Sequence, residues 1–254
     1  MLIDGDNAQP SLLGEMLAET GKYGLVTVRR IYGDWTTANM GGWKDKLLTY
    51  AIQPIQQFRY SVGKNATDSA MIIDAMDILY TERVDGFCLV SSDSDYTRLA
   101  TRIRENRLFV MGIGKKLTPP AFVNACDIFV YAENLVQQPA AAPSQKSQPK
   151  LTSDALALFK SAFDLAVQED GWTHLGMLGQ HLRQLDPGFD PRSYGYKQLS
   201  LLVKGHPESF EIKPHRGQAA STLYVKLKGN GNPAVTGQKQ PSDLSKNKKS
   251  ASSG

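Results

Sequence analysis

Along the first half of the chain, short apolar runs rich in branched residues alternate with segments of helical spacing. No other feature restricts the fold as strongly. Candidate strands fall at residues 2–3, 25–32, 55–58, 86–90, 108–112 and 128–131. Between them, residues 11–20, 43–52, 68–80, 96–106 and 119–125 carry helical periodicity, several with glycine just beyond. Strict alternation predicts an α/β domain in which a parallel, Rossmann-like sheet is covered by helices on both faces. Such sheets gather ligands beyond the carboxyl ends of their strands, where strand order reverses.

Carboxylates occupy those ends. The first strand runs into Asp4-Gly5-Asp6-Asn7, and the fourth, GFCLV, into Ser91-Ser92-Asp93-Ser94-Asp95. Asp68 opens the helix after the third strand, on the face of Met71, Ile72, Ala75 and Leu79 that must meet the sheet; Asp74 and Asp77 project the other way and read as solvated surface. Taken singly, Asp95 can cap the helix beginning at Tyr96, and Asp68 can be a first-turn dipole partner. Taken together, Asp4, Asp68, Asp93 and Asp95 would repel one another unless a cation lay between them. Their hard oxygen donors suit Mg²⁺ or Mn²⁺. Ser91 and Ser92 can donate to a phosphate or orient the acids, although loop serines also cap helices. Neither GxGxxG nor GxxxxGK[ST] is present, which leaves a dinucleotide fold or a P-loop unsupported. The four histidines all follow residue 170, and with Cys88 and Cys126 they give no zinc spacing.

Composition separates the chain into parts. From Gln137 the sequence QQPAAAPSQKSQPK lacks bulky apolar residues and reads as a linker over 137–151; the stretch 229–254 has the same character and reads as a disordered basic tail. The formal charge of +4 is unevenly placed: residues 1–138 hold 14 basic and 16 acidic side chains, a net of −2, while 139–150 carry +2, 151–228 carry +1 and 229–254 carry +3. A basic tail can hold a polyanion near the folded parts, or be an ordinary solvated segment. No apolar run is long enough to cross a membrane. The N-terminal MLIDGDNAQP has carboxylates where an export signal needs a basic flank, so a cytoplasmic location is expected.

IDGDN at 3–7, KNATDSAMIIDAMD at 64–77 and VSSDSDYTRLATRIRE at 90–105 resemble the NYN domain of the PIN-like nucleases. VRRIYGDW at 28–35, AIQPIQQFRYSVGKNATD at 51–68 and ACDIFVY at 125–131 are similar to its LabA-like (DUF88) branch. The resemblance covers residues 1–136 and implies a metal-dependent ribonuclease site, with Asp4, Asp68, Asp93 and Asp95 as metal-binding acids and Asn7 as an auxiliary polar residue. Only Met1–Ile3 precede Asp4, a shorter first strand than the family usually carries, which leaves open whether Met1 is the true start. The DGD tripeptide also resembles the first motif of haloacid-dehalogenase phosphatases, but the order of the later acids departs from that pattern. Arg59, Tyr60 and Lys64 precede Asp68 in a loop that can guide a phosphate backbone and stack a base, or simply be solvated.

Residues 152–228 carry helical patterns at 154–169, 175–185 and 192–203 and strand patterns at 210–213 and 222–226 around PHRGQAAS. That order predicts a small winged helix-turn-helix α+β domain with Trp172, Phe189, Leu199 and Leu202 in its core. The segment DGWTHLGMLGQHLRQLDPGFDPRSYGYKQLSLLVKGHPESFEI at 170–212 is similar to the LOTUS (OST-HTH) domain. The resemblance implies RNA binding, of single-stranded or structured RNA including guanine quadruplexes, with Arg192, Tyr194, Tyr196, Lys197, His215 and Arg216 as contacts. The whole chain is therefore expected to be a ribonuclease targeted to RNA by its second domain; the alternative is a non-catalytic RNA-binding adaptor. Association into a homo-oligomer is left open.

Overall fold

A computed structural model describes residues 1–58, 66–81, 83–136, 151–167, 170–215 and 222–228. Six parallel strands form the first sheet: β1 (Leu2–Asp4), β2 (Arg30–Gly33), β3 (Gln53–Gln56), β4 (Gly86–Val90), β5 (Phe109–Gly114) and β6 (Ile128–Tyr131). Their order is β3-β2-β1-β4-β5-β6, so the chain builds outward from β1 in one direction, returns, and builds outward from β4 in the other. Strand order thus reverses between β1 and β4, and the crevice beyond their carboxyl ends is the place such folds present to ligands.

Burial on both faces explains the near-continuous apolar strands. On one face, α3 (Ala66–Thr81), α4 (Thr97–Glu105) and α5 (Pro120–Ala125) set Met71, Ala75, Leu99, Ile103 and Phe122 against Leu89, Val110 and Phe129. On the other, α1 (Leu13–Thr20) and the 3-10 segment Ala38–Trp43 leading into α2 (Lys44–Tyr50) place Leu13, Met16, Met40 and Trp43 against Ile3, Val90 and Ile113.

Several boundaries differ from the sequence expectation. The second strand is Arg30–Gly33 rather than 25–32, because β1 offers only Leu2–Asp4 as a parallel partner; the Val28 carbonyl instead accepts from the Met1 ammonium at 2.7 Å. The third strand begins at Gln53 and so includes Pro54, which an edge strand tolerates because one side of its backbone needs no ladder donor. Asp74 is not solvated surface. At the half-buried junction of α3 and β2 it accepts from the Arg30 guanidinium and the Tyr32 hydroxyl.

The second domain packs α6 (Ser153–Ala166), α7 (Leu175–Leu185) and α8 (Leu199–Gly205) on a sheet ordered β7 (Thr173–His174), β9 (Thr222–Leu227), β8 (Phe210–His215). The Thr152 hydroxyl caps α6 by accepting from the Ala155 N–H at 3.2 Å. The expected third helix at 192–203 is broken: a 3-10 turn at Pro191–Tyr194 ends at Gly195, whose φ of 82° is left-handed, and the helix proper starts at Leu199. Phe189 and Leu202 are buried as expected, and Leu199 packs partly against the core. Trp172 lies instead at the sheet surface beneath the Lys213 ammonium, 4.2 Å from the ring centroid.

The two domains touch directly. The Phe129 N–H of edge strand β6 donates to the Pro187 carbonyl at 2.8 Å, and Asn134 Nδ2 donates to Ser193 Oγ at 2.8 Å. Arg192 spans the contact, donating to both Glu19 oxygens on α1 at 2.9 and 3.1 Å while also holding Asp190 beside it.

Candidate functional site

Asp4 is the last residue of β1 and is fully buried. One of its oxygens accepts the backbone N–H groups of Asp6 (3.1 Å) and Asn7 (3.3 Å); the other accepts Asn7 Nδ2 (2.6 Å) and Ser91 Oγ (2.9 Å). Burial pushes the Asp4 carboxyl above its usual range, and the Asn7 and Ser91 bonds oppose that rise by favouring the ionised form.

Above it, the loop after β4 turns sharply. The Asp93 N–H donates to Ser91 Oγ at 3.1 Å, and the Asp93 carboxylate accepts the Asp95 N–H at 2.9 Å, capping the 3-10 turn Ser94–Tyr96 that leads into α4. Tyr96, fully buried, donates its hydroxyl to Asp68 at 2.7 Å. Asp68 stands in the first turn of α3 and is 9% exposed. Burial raises its carboxyl pKa, the Tyr96 bond lowers it, and the nearby charges of Asp4, Asp93 and Asp95 raise it again.

One oxygen each from Asp68, Asp93 and Asp95 lies within 4.8 Å of the others. This is an all-oxygen, anionic donor set compact enough for one divalent ion to touch directly or through its own water, as Mg²⁺ commonly does. Of the four acids read from the sequence, three therefore form the cluster. Asp4 sits beneath, its lone pairs engaged by Asn7, Ser91 and the loop backbone, and bears on Asp68 through its charge.

Three further residues belong to this network. Thr67 Oγ1 donates to Asp6 at 3.0 Å and so ties the loop after β1 to the start of α3, while Tyr96 orients Asp68. For Asp6 the sequence signal was its place in the DGD tripeptide. Thr67 and Tyr96 carried none, because both act through partners distant along the chain.

Among the expected RNA contacts, Arg59, Tyr60, Lys64, Arg216 and the His215 side chain lie outside the described residues. Arg192 is engaged by Glu19 and Asp190 at the domain contact. Tyr194 packs near Phe189, with ring centroids 6.0 Å apart, and Tyr196 sits beside His206 at 5.7 Å. Lys197 is exposed.

A parallel α/β sheet with aspartates gathered at its point of strand reversal, joined to a small winged helical domain, is the architecture of a PIN-like nuclease domain paired with an RNA-binding module. The chain belongs to the NYN domain family: the NYN family model matches residues 1–134, and the OST-HTH/LOTUS domain model matches residues 146–219. No match was found among curated proteins. Solved structures are similar over parts of the chain. An uncharacterized protein from Nitrosomonas europaea is 32% identical, with a TM-score of 0.30, covering 36% of this chain and 90% of that one. A protein of unknown function from Vibrio parahaemolyticus is 19% identical, with a TM-score of 0.42, covering 51% of this chain and 89% of that one. A segment of a Chromobacterium violaceum protein is 27% identical, with a TM-score of 0.27, covering 33% of this chain and 90% of that one. Among the described residues no helix is long and apolar enough to cross a membrane.

Proposed function

We propose that the protein is a cytoplasmic, metal-dependent ribonuclease that hydrolyses RNA phosphodiester bonds, with a nuclease domain at 1–136, a linker at 137–151, an RNA-engaging LOTUS domain at 152–228 and a basic tail at 229–254. The observation that carries this reading is the convergence of Asp68, Asp93 and Asp95 above the buried Asp4 at the strand reversal. Asp68, Asp93 and Asp95 would hold Mg²⁺ or Mn²⁺, with Asp4 adding charge from below. Bound there, such an ion supplies Lewis-acid polarisation of the phosphate and a more acidic water.

The protein's own part is positioning. Tyr96 fixes Asp68, the Asp95 N–H fixes Asp93, and Asn7 with Ser91 holds Asp4. Residues 1–136 contain no histidine, which favours metal-driven chemistry, and Asp95, the exposed member of the cluster, would be the carboxylate open to solvent. The LOTUS domain, docked on β6, would hold single-stranded or structured RNA, guanine quadruplexes included, beside the nuclease domain.

The test is incubation of labelled RNA with the full chain in Mg²⁺, in Mn²⁺ and in excess chelator, beside Asp93→Asn. Asparagine caps a helical turn about as well as aspartate, so this variant keeps the fold. Cleavage in either metal, lost with chelator and reduced in Asp93→Asn by more than the roughly 10–100-fold typical of losing an outer-shell partner, is the expected result. RNA binding without cleavage in either metal identifies the adaptor instead.

A further inference from the structure

Resting on that reading of the acidic edge, we propose that the loop after β5, Lys115-Lys116-Leu117, is a fixed rest for the single-stranded RNA substrate. Its lysines would take the phosphates flanking the scissile one, and Leu117 a base or ribose face.

The loop is built, not loose. The Lys115 N–H donates to Ser92 Oγ at 2.9 Å, and Asp93 of the acidic cluster is the next residue after Ser92. The Lys115 carbonyl accepts both the N–H (3.0 Å) and the hydroxyl (2.7 Å) of Thr118, which is itself buried. The Lys116 N–H donates to both Glu133 oxygens, at 3.0 and 3.1 Å. Pro119 and Pro120 close the far end, stiffening the run into α5. Gly114 at the near end has no room for a side chain: a Cβ there would stand 2.5 Å from the Ser91 carbonyl and 2.7 Å from Thr118 Oγ1. Asn7, Ser91, Ser92, Gly114 and Lys115 line one shallow notch, so the loop is continuous with the groups that hold Asp4.

What this scaffold presents is a pair of cations and an apolar tip. Lys115 and Lys116 are exposed, and among the described residues no carboxylate pairs with either ammonium; Glu133, the nearest candidate, spends both oxygens on the backbone. Leu117, 93% exposed at the tip of the loop, offers an apolar side chain against which a base or ribose can lie. An acidic site must also overcome its own repulsion of a polyanion, and two lysines on a backbone tied to Ser92, next to Asp93, would do that locally while the domain as a whole is negative.

The test uses the full chain and a short labelled single-stranded RNA. In an Asp93→Asn background, Lys115→Ala/Lys116→Ala should weaken binding about tenfold and flatten the log–log salt dependence by about 1.4, since each single-strand phosphate contact contributes about 0.7. Leu117→Ser should weaken binding without changing that slope. In the cleavage-competent protein the double lysine variant should raise KM about as much as it weakens binding, with kcat moving far less. Lys44→Ala/Lys46→Ala on α2, the crossover between β2 and β3, makes the same charge change away from the loop after β5 and should leave slope and KM alone. If wild type cleaves no RNA, the ribonuclease reading fails, while the binding arm still decides the loop's role. An unchanged affinity, slope and KM in the lysine variant, or an equal change in the α2 control, overturns the inference.

Discussion

Asp68 holds a carboxylate at 9% exposure while Asp4, Asp93 and Asp95 add like charge around it. Without a cation, its ionised form costs the fold free energy, and among the described residues the Tyr96 hydroxyl is the group that offsets this by hydrogen bonding. Asp68→Asn should therefore raise the metal-free melting temperature by roughly 2–4 °C, as expected for about 1 kcal/mol in a chain of this size. The same variant should lose the upward shift that Mn²⁺ gives wild type, because the gain comes from cation binding to the native state alone. A scanning fluorimetry titration with and without Mn²⁺ reads both effects, and a metal-free melting point below wild type counts against this account. Tyr96→Phe should weaken Mn²⁺ affinity roughly 10–100-fold with the cluster otherwise intact, since it removes only the group that orients Asp68. The acids were legible in the sequence because each stands at the end of a strand or the start of a helix. Their orienting partners were not, because a buried tyrosine at helical spacing reads as core and nothing local reveals where its hydroxyl points.

At the scale of elements, α3 is fixed to β2 by more than apolar contact. The Asp74 carboxylate accepts from Arg30 and Tyr32, with the Arg30 and Asp74 side chains only 26% and 23% exposed. Helical projection placed Asp74 opposite the core stripe and so suggested solvent, but it could not show that a strand neighbour would send a guanidinium and a phenol up to meet it. Removing the acid takes from both donors the acceptor they share, beside an Arg30 Nε that is buried and, among the described residues, without a partner. Asp74→Ala should cost roughly 2–4 kcal/mol, measurable by urea denaturation as a lower midpoint at unchanged slope. The positions and order of the strands in sequence were readable from apolar runs and their turns. Where each strand begins was not, since that depends on its partner's length, as at Arg30, or on its place at a sheet edge, as at Pro54.

For the whole molecule, the contact between domains includes an ion pair in a partly buried setting. Burial alone would raise the Glu19 carboxyl pKa, but hydrogen bonds from Arg192 and Lys22 and their charges hold it below its ordinary value. A carboxyl depressed in this way contributes its stabilisation above the unfolded pKa near 4.5 and loses it as pH falls below that through the depressed folded value. The docked arrangement should therefore be compact at neutral pH and loosen in acid. Glu19→Gln at neutral pH should reproduce the loosening by weakening the contact roughly 1–3 kcal/mol, seen as a larger radius of gyration in small-angle scattering. A radius unchanged in both conditions would mean that the remaining contacts suffice. Composition gave only expected limits for the two domains, and FDPRSYGY carried no sign that its arginine would face α1 and not a ligand, because Glu19 lies 173 residues away.

The hydrogen bond from Phe129 to Pro187 has a practical consequence for anyone dividing this chain after residue 136. β6 is the last strand of its sheet, and the second domain occupies part of its open side. Cut free, residues 1–136 would present that strand to solvent as a template for another copy, with Glu19 keeping Lys22 but losing Arg192. A fragment that aggregates or dimerises would then be reporting on a missing neighbour, and an inactive fragment would say little about the chemistry of the intact protein.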